Sequence, residues 1–137
     1  MIRAAAARAL VGAGLLPAFG VQHSNRGNPF ALADDLIEPF RPFVDSVVVE
    51  MMRAGLGQGD LDRERKVPLL ALLNRRVAIA GATTPISLAF GRAAASLAES
   101  FLSGSPRLTL PERLLSEDEE RAAAGLATES AHAAADP

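Results

Sequence analysis

A chain of 137 residues, 49% hydrophobic and 22% charged, is long enough for one domain with a real core and too short for two. It contains no cysteine, which excludes disulfides, thiolate metal sites and a cysteine nucleophile. The net charge of −2 is uneven: residues 116–137 hold six acids against Arg121, so residues 1–115 are mildly basic, a balance that permits DNA binding without arguing strongly for it.

Alanine and leucine dominate, aromatic residues are 4% and there is no Trp or Tyr, so composition predicts an all-α, mostly helical fold. Residues 1–22 do not read as a targeting segment, because Arg8 interrupts the apolar run and Gly12, Gly14 and Pro17 come after it. No window is long and apolar enough to span a membrane, and the chain reads as cytoplasmic. Ile2 to Ala13 reads as a helix with Ala5, Leu10 and Ala13 on one face, ending near Gly14. It starts with no cap and no lead-in. Ser24, Asn25, Arg26, Gly27, Asn28 and Pro29 form a loop, with Asn28 as the N-cap of a helix from Phe30 to about Glu38.

Pro39 and Pro42 bracket a turn, and Pro42 begins a helix through Val44, Val47, Val48 and Met51 to Ala54. Gly55 to Gly59 is a break, Asp60 to Lys66 is charged and expected at the surface, and Pro68 to Arg76 reads as a short helix. Val77 to Pro85 is either a strand or an extended loop. Ile86 to Leu102 reads as a strong helix with Leu88, Ala95, Leu97 and Phe101 in the core, ended by Gly104, Ser105 and Pro106. Leu108 to Leu115 docks as a last extended piece or short helix. The expected organisation is a helical domain over residues 1–115 and an acidic, alanine-rich, disordered tail over 116–137.

Without thiolates, any metal must be held by His, carboxylates, carbonyls or water, a donor set that suits Mg or Mn better than structural zinc. His132 lies in the tail and is given no role. His23 lies just before the Gly/Asn/Pro loop, at the mouth of a helix bearing Asp34, Asp35 and Glu38. Asp35 and Glu38 are three apart and Asp34 and Glu38 four apart, so both pairs are neighbours on the helix. Like charges brought together cost stability unless a cation fills the gap. Spacing alone leaves open a solvated acidic face, which the helix dipole also favours near an N-terminus.

The wording of the segment goes further. His23-Ser24-Asn25, Asn28-Pro29-Phe30 and the run from Leu32 to Asp45 resemble the CRISPR-associated spacer-acquisition integrases, those of type II systems most closely. Ala7-Arg8-Ala9-Leu10 and Gly14-Leu15-Leu16-Pro17 also fit, and the resemblance covers about residues 1–110; its most specific part is Leu36-x-Glu38-Pro39-Phe40-Arg41-Pro42. It implies a helical catalytic domain that binds Mg or Mn through a Glu, a His and a carboxylate. His23 matches the family histidine, Glu38 the second carboxylate, and Asp35 an additional acid found in some members. Gln22 falls where family members often carry a second polar ring. Asn28 and Arg41 would orient ligands or phosphate; a salt bridge from Arg41 to Glu38 or Asp45 is the equal alternative.

The family's first Glu should lie several dozen residues before the histidine, and only 22 residues precede His23. The resemblance therefore implies that this ligand and the amino-terminal β-rich, dimer-building domain are missing, and that the chain alone has little activity. The implied reaction is transesterification: a 3′-hydroxyl of a spacer precursor attacks a phosphodiester of the repeat array. The implied partners are double-stranded DNA, a second copy of the chain and the second CRISPR adaptation protein, with no membrane. An inactive remnant of that enzyme and a non-catalytic helical interaction module are the alternatives.

Overall fold

The computed structural model describes residues 1–23, 25, 27–116 and 118–122. Helix α1 spans Ile2–Gly12 and buries Ala6 and Leu10. Helix α2, Ala31–Ile37, buries Ala31, Leu32, Ala33 and Leu36. A 3₁₀ turn over Glu38–Phe40 leads into α3, Arg41–Arg53, where Phe43, Val47 and Met51 recur every four residues on the buried face. Pro39 and Pro42 sit in the first residues of the turn and of α3, where the missing N–H has no helical partner to lose. Helix α4 covers Arg63–Ala71 and is capped by the Asp62 side chain, which accepts from the Arg65 backbone N–H at 3.0 Å.

The fold is not the all-α one that composition predicts but is helix-dominated with a small sheet. Strands β1 (Arg76–Ile79), β2 (Ala82–Pro85) and β3 (Arg113–Leu114) form a small antiparallel sheet in the order β2-β1-β3. Whole-chain composition averages away so short a segment, yet its local pattern is clear. Val77 and Ile79 alternate into the core, and Ala80 and Gly81 both take positive φ, at 52° and 70°, as a tight two-residue hairpin requires. Leu108 to Leu115 is extended rather than helical and supplies β3.

Helix α5, Ile86–Ser103, ends at Gly104 in the left-handed region, φ 65°. Its buried face is Ile86, Ala89, Phe90, Ala93 and Ala94. Of the expected core positions, Leu97 is half-buried, while Leu88, Ala95 and Phe101 are exposed. The helix is apolar most of the way round, so hydrophobicity does not fix its phase. Close packing does: α1 lies against α5 through alanines on both helices. Phe40 stacks on Phe90 with ring centroids 4.1 Å apart and meets Phe43 edge-on at 6.3 Å.

Residues 118–122 are helical and lie against the sheet through Glu119 and Glu120: Glu120 Oε1 accepts from Arg75 Nε at 3.1 Å and from the Arg76 backbone N–H at 2.9 Å, and Glu119 forks onto Arg113. The remainder of the expected tail, residues 123–137 with His132, lies outside the described residues, as do Ser24 and Arg26 of the loop. Among the described residues no helix is long and apolar enough to cross a membrane.

Candidate metal centre

Helix α1 ends at Gly12, Gly14 takes a left-handed φ of 78°, and the chain runs back over α2 so that Leu32 N–H reaches the Pro17 carbonyl at 2.7 Å. This carries residues 20–23 across the first turns of α2, where Asp35 points at them. Asp35 Oδ2 accepts from the backbone N–H groups of Val21 at 2.5 Å and Gln22 at 3.0 Å. Asp35 Oδ1 meets the backbone N–H of His23 at 3.3 Å and its ring Nδ1 at 2.5 Å. Burial pushes the Asp35 carboxyl up, but the bonds from His23 and from three backbone amides outweigh it and hold its pKa below the ordinary value. The same bond raises His23, opposed by desolvation and aided by the charges of Asp35, Asp34 and Glu38.

Asp34 has a separate set of partners. Arg3 of α1 forks onto it at 2.7 and 3.2 Å, and Asn28 Nδ2 donates at 2.8 Å. Burial raises its pKa, and the bonds from Asn28 and Arg3 more than offset that, leaving it lowered. Asn28 also closes the loop, its Oδ1 accepting from Phe30 N–H at 3.0 Å. Glu38 begins the 3₁₀ turn, and its Oε1 accepts from Arg41 Nη1 at 2.9 Å.

His23, Asp34, Glu38, Arg41, Asp45 and Arg3 line one cavity of about 590 Å³ between α1, α2 and the start of α3. His23 and Glu38 therefore share it. Asp35 does not line it; it bonds to the His23 ring and borders a second cavity with Val21, Gln22, Leu36 and Glu38. Gln22 enters through its backbone N–H. Arg41 takes the salt-bridge option with Glu38. Among the described residues no three His, Asp or Glu side chains converge as a metal-holding group. Two participants escaped sequence reasoning. Arg3 is 31 residues from Asp34 and gives no local signal. Gly20 gives only a glycine shortly before a histidine.

The molecule is thus a helix-dominated domain whose histidine–carboxylate cluster is built on α2 and faces a cavity lined by both acids and bases. Residues 1–78, which contain the entire cluster, match the family described as CRISPR associated protein Cas1, and the chain belongs to that family. It is 40% identical over 79 residues to the CRISPR-associated endonuclease Cas1 of Neisseria meningitidis serogroup C (strain 8013). That similarity covers 58% of this chain and 26% of the relative, so the matched part spans about a quarter of the relative's length.

Proposed function

We propose that this chain carries part of the divalent-cation site of a DNA endonuclease and integrase of CRISPR adaptation, contributing His23 and Glu38 as ligands for Mg or Mn. The observation that supports this reading best is the His23–Asp35 contact. A carboxylate that engages one ring nitrogen of a histidine is the usual support behind a metal-ligating imidazole. His23 keeps Nε2 for a ligand, and Glu38 lies on the wall of the same cavity. The relative's name, an endonuclease, agrees with this chemistry.

The donor types fit a hard cation, with one imidazole among carboxylates and no thiolate. The described residues supply only a share of the site, because no three ligands converge in them. A bound divalent ion would lower the pKa of an attacking hydroxyl and neutralise the phosphate under attack. The chain's own residues would do the rest. His23 binds as a neutral imidazole, Asn28 and Arg3 keep Asp34 in place, and Arg41, on releasing Glu38, offers a planar fork to a DNA phosphate. The substrates would be double-stranded spacer precursor and the repeat array, joined by transesterification, with a second copy of the chain and the second adaptation protein as partners.

A non-catalytic reading, either a remnant or an interaction module, draws on one observation: Asp34 and Glu38 already have arginine partners, so no cation is required to relieve them. Titration of Mn into the chain, monitored by the loss of free-ion electron spin resonance signal, separates the two. The metal-site reading expects weak binding that disappears in His23→Ala and in Glu38→Ala, and no strand transfer of a short duplex into a repeat-bearing plasmid by these residues alone. A family protein carrying this segment in full-length context should perform the transfer and lose it in His23→Ala. Absence of Mn binding in the wild type, or binding indifferent to His23, would leave the non-catalytic reading.

A further inference from the structure

We infer that Asp35 is a positioning residue and not a ligand: together with the close approach allowed by Gly20, it locks His23 as the Nδ1–H tautomer and so selects Nε2 as the ligating atom. This rests on the metal-site reading and specifies how that site is built.

Both oxygens of Asp35 are spent. Oδ1 takes the His23 ring and its backbone N–H, and Oδ2 takes the amides of Val21 and Gln22. The side chain is 11% exposed, against 44% for His23. A carboxylate accepts and cannot donate, so at neutral imidazole the proton of the pair must sit on Nδ1, and the lone pair on Nε2. Free imidazole side chains in water favour the opposite tautomer, so the bond reverses an intrinsic preference. Asp34, one residue away, touches none of these groups and faces Arg3 and Asn28 instead.

The cradle depends on residue 20 having no side chain. A Cβ there would lie 2.4 Å from the His23 carbonyl oxygen, 2.9 Å from Ala31 Cβ and 3.2 Å from Asp35 Oδ2. The first of these is backbone and cannot rotate away. Any side chain at position 20 would push the 21–23 segment off the carboxylate that holds it.

The test uses the metal-free chain labelled with ¹⁵N-histidine, at a pH where His23 is neutral. The chain has two histidines, and His132→Gln assigns the signals. The expected wild-type spectrum shows a proton-bearing Nδ1 and a bare Nε2 for His23. Asp35→Ala and Gly20→Ala, with helix content checked by circular dichroism, should shift the population towards Nε2–H. A wild-type spectrum dominated by Nε2–H overturns the inference whether or not either variant folds, and so does a folded Asp35→Ala with an unchanged tautomer. Because neither metal nor DNA is present, failure of the metal-site reading would leave these spectra as they are. Where Mn binding is measurable, Asp35→Ala should weaken it by about 10–100-fold.

Discussion

Replacing Phe90 with alanine tests whether the Phe40–Phe90 pair lies at the centre of the core. Phe90 is fully buried and its ring lies 4.1 Å from that of Phe40, which ends the 3₁₀ turn begun by Glu38. A buried Phe→Ala change costs about 3–5 kcal/mol in lost transfer energy and residual cavity. Against a total of roughly 5–15 kcal/mol for a domain, that brings the variant near unfolding. The milder Phe90→Leu should cost about 1–2 kcal/mol, since it keeps most of the volume. Urea unfolding monitored by circular dichroism measures both. A double-mutant cycle with Phe40→Leu should then give a coupling of about 0.5–1.5 kcal/mol, the scale of an aromatic pair beyond its area. A cost below about 1 kcal/mol for Phe90→Ala would refute the placement of this ring pair at the centre of the core. Strict additivity in the cycle would refute the contact itself.

Glu120→Ala should cost about 1–2 kcal/mol, because Arg75 and the Arg76 amide lose a charged acceptor; truncation after Leu115 should do the same, measurable by urea midpoint. Arg3→Ala removes a pair whose arginine side is 58% exposed, so stability should fall by less than about 1 kcal/mol while the Asp34 carboxyl pKa, tracked by NMR, rises. Acid should weaken the fold through Asp34 and Asp35. Their folded pKa values are depressed, so their contribution is present above the ordinary aspartate value of 3.8 and lost as pH falls through the lower folded values. His23 has the opposite sign: its raised pKa adds stability below 6.5 that is lost as pH rises through the folded value. The urea midpoint should decline below pH 3.8, and Asp35→Asn should flatten that decline.

Most helices were legible because their punctuation is local. Gly14 follows the end of α1, Asn28 and Pro29 sit in the turn just before α2, which begins at Ala31, and Gly104 closes α5. The small sheet is legible only in part: Val77–Pro85 reads as a strand or an extended loop, but β3 lies beyond the whole of α5 and its pairing gives no local signal. The phase of α5 was illegible for a different reason. Leu88 and Phe101 outrank Ala89 and Ala93 in hydrophobicity, yet the alanines are buried, because helix–helix approach rewards small residues that no single-helix pattern reveals. In the cluster, His23, Asp35 and Glu38 are legible in the sequence as candidates. Their division of labour is not, because it depends on Arg3 and on a backbone segment folded over α2.

That division comes from how each acid is satisfied. Three carboxylates within two turns of one helix repel one another, and a shared cation would be one remedy. The fold supplies three separate ones: Arg3 and Asn28 for Asp34, the 21–23 segment with His23 for Asp35, and Arg41 for Glu38. The remedies differ in how readily they can be exchanged. Asp34 is 17% exposed and gripped by a forked guanidinium and an amide; Asp35 is 11% exposed and carries four donors. Glu38 is 47% exposed and has one surface bond to Arg41, three residues along, of a kind worth about 0–1 kcal/mol. Of the three, Glu38 alone can turn to a new partner without unmaking the loop or the α1–α2 contact. The acid that can leave its partner at least cost is thus among those that share a cavity with the histidine.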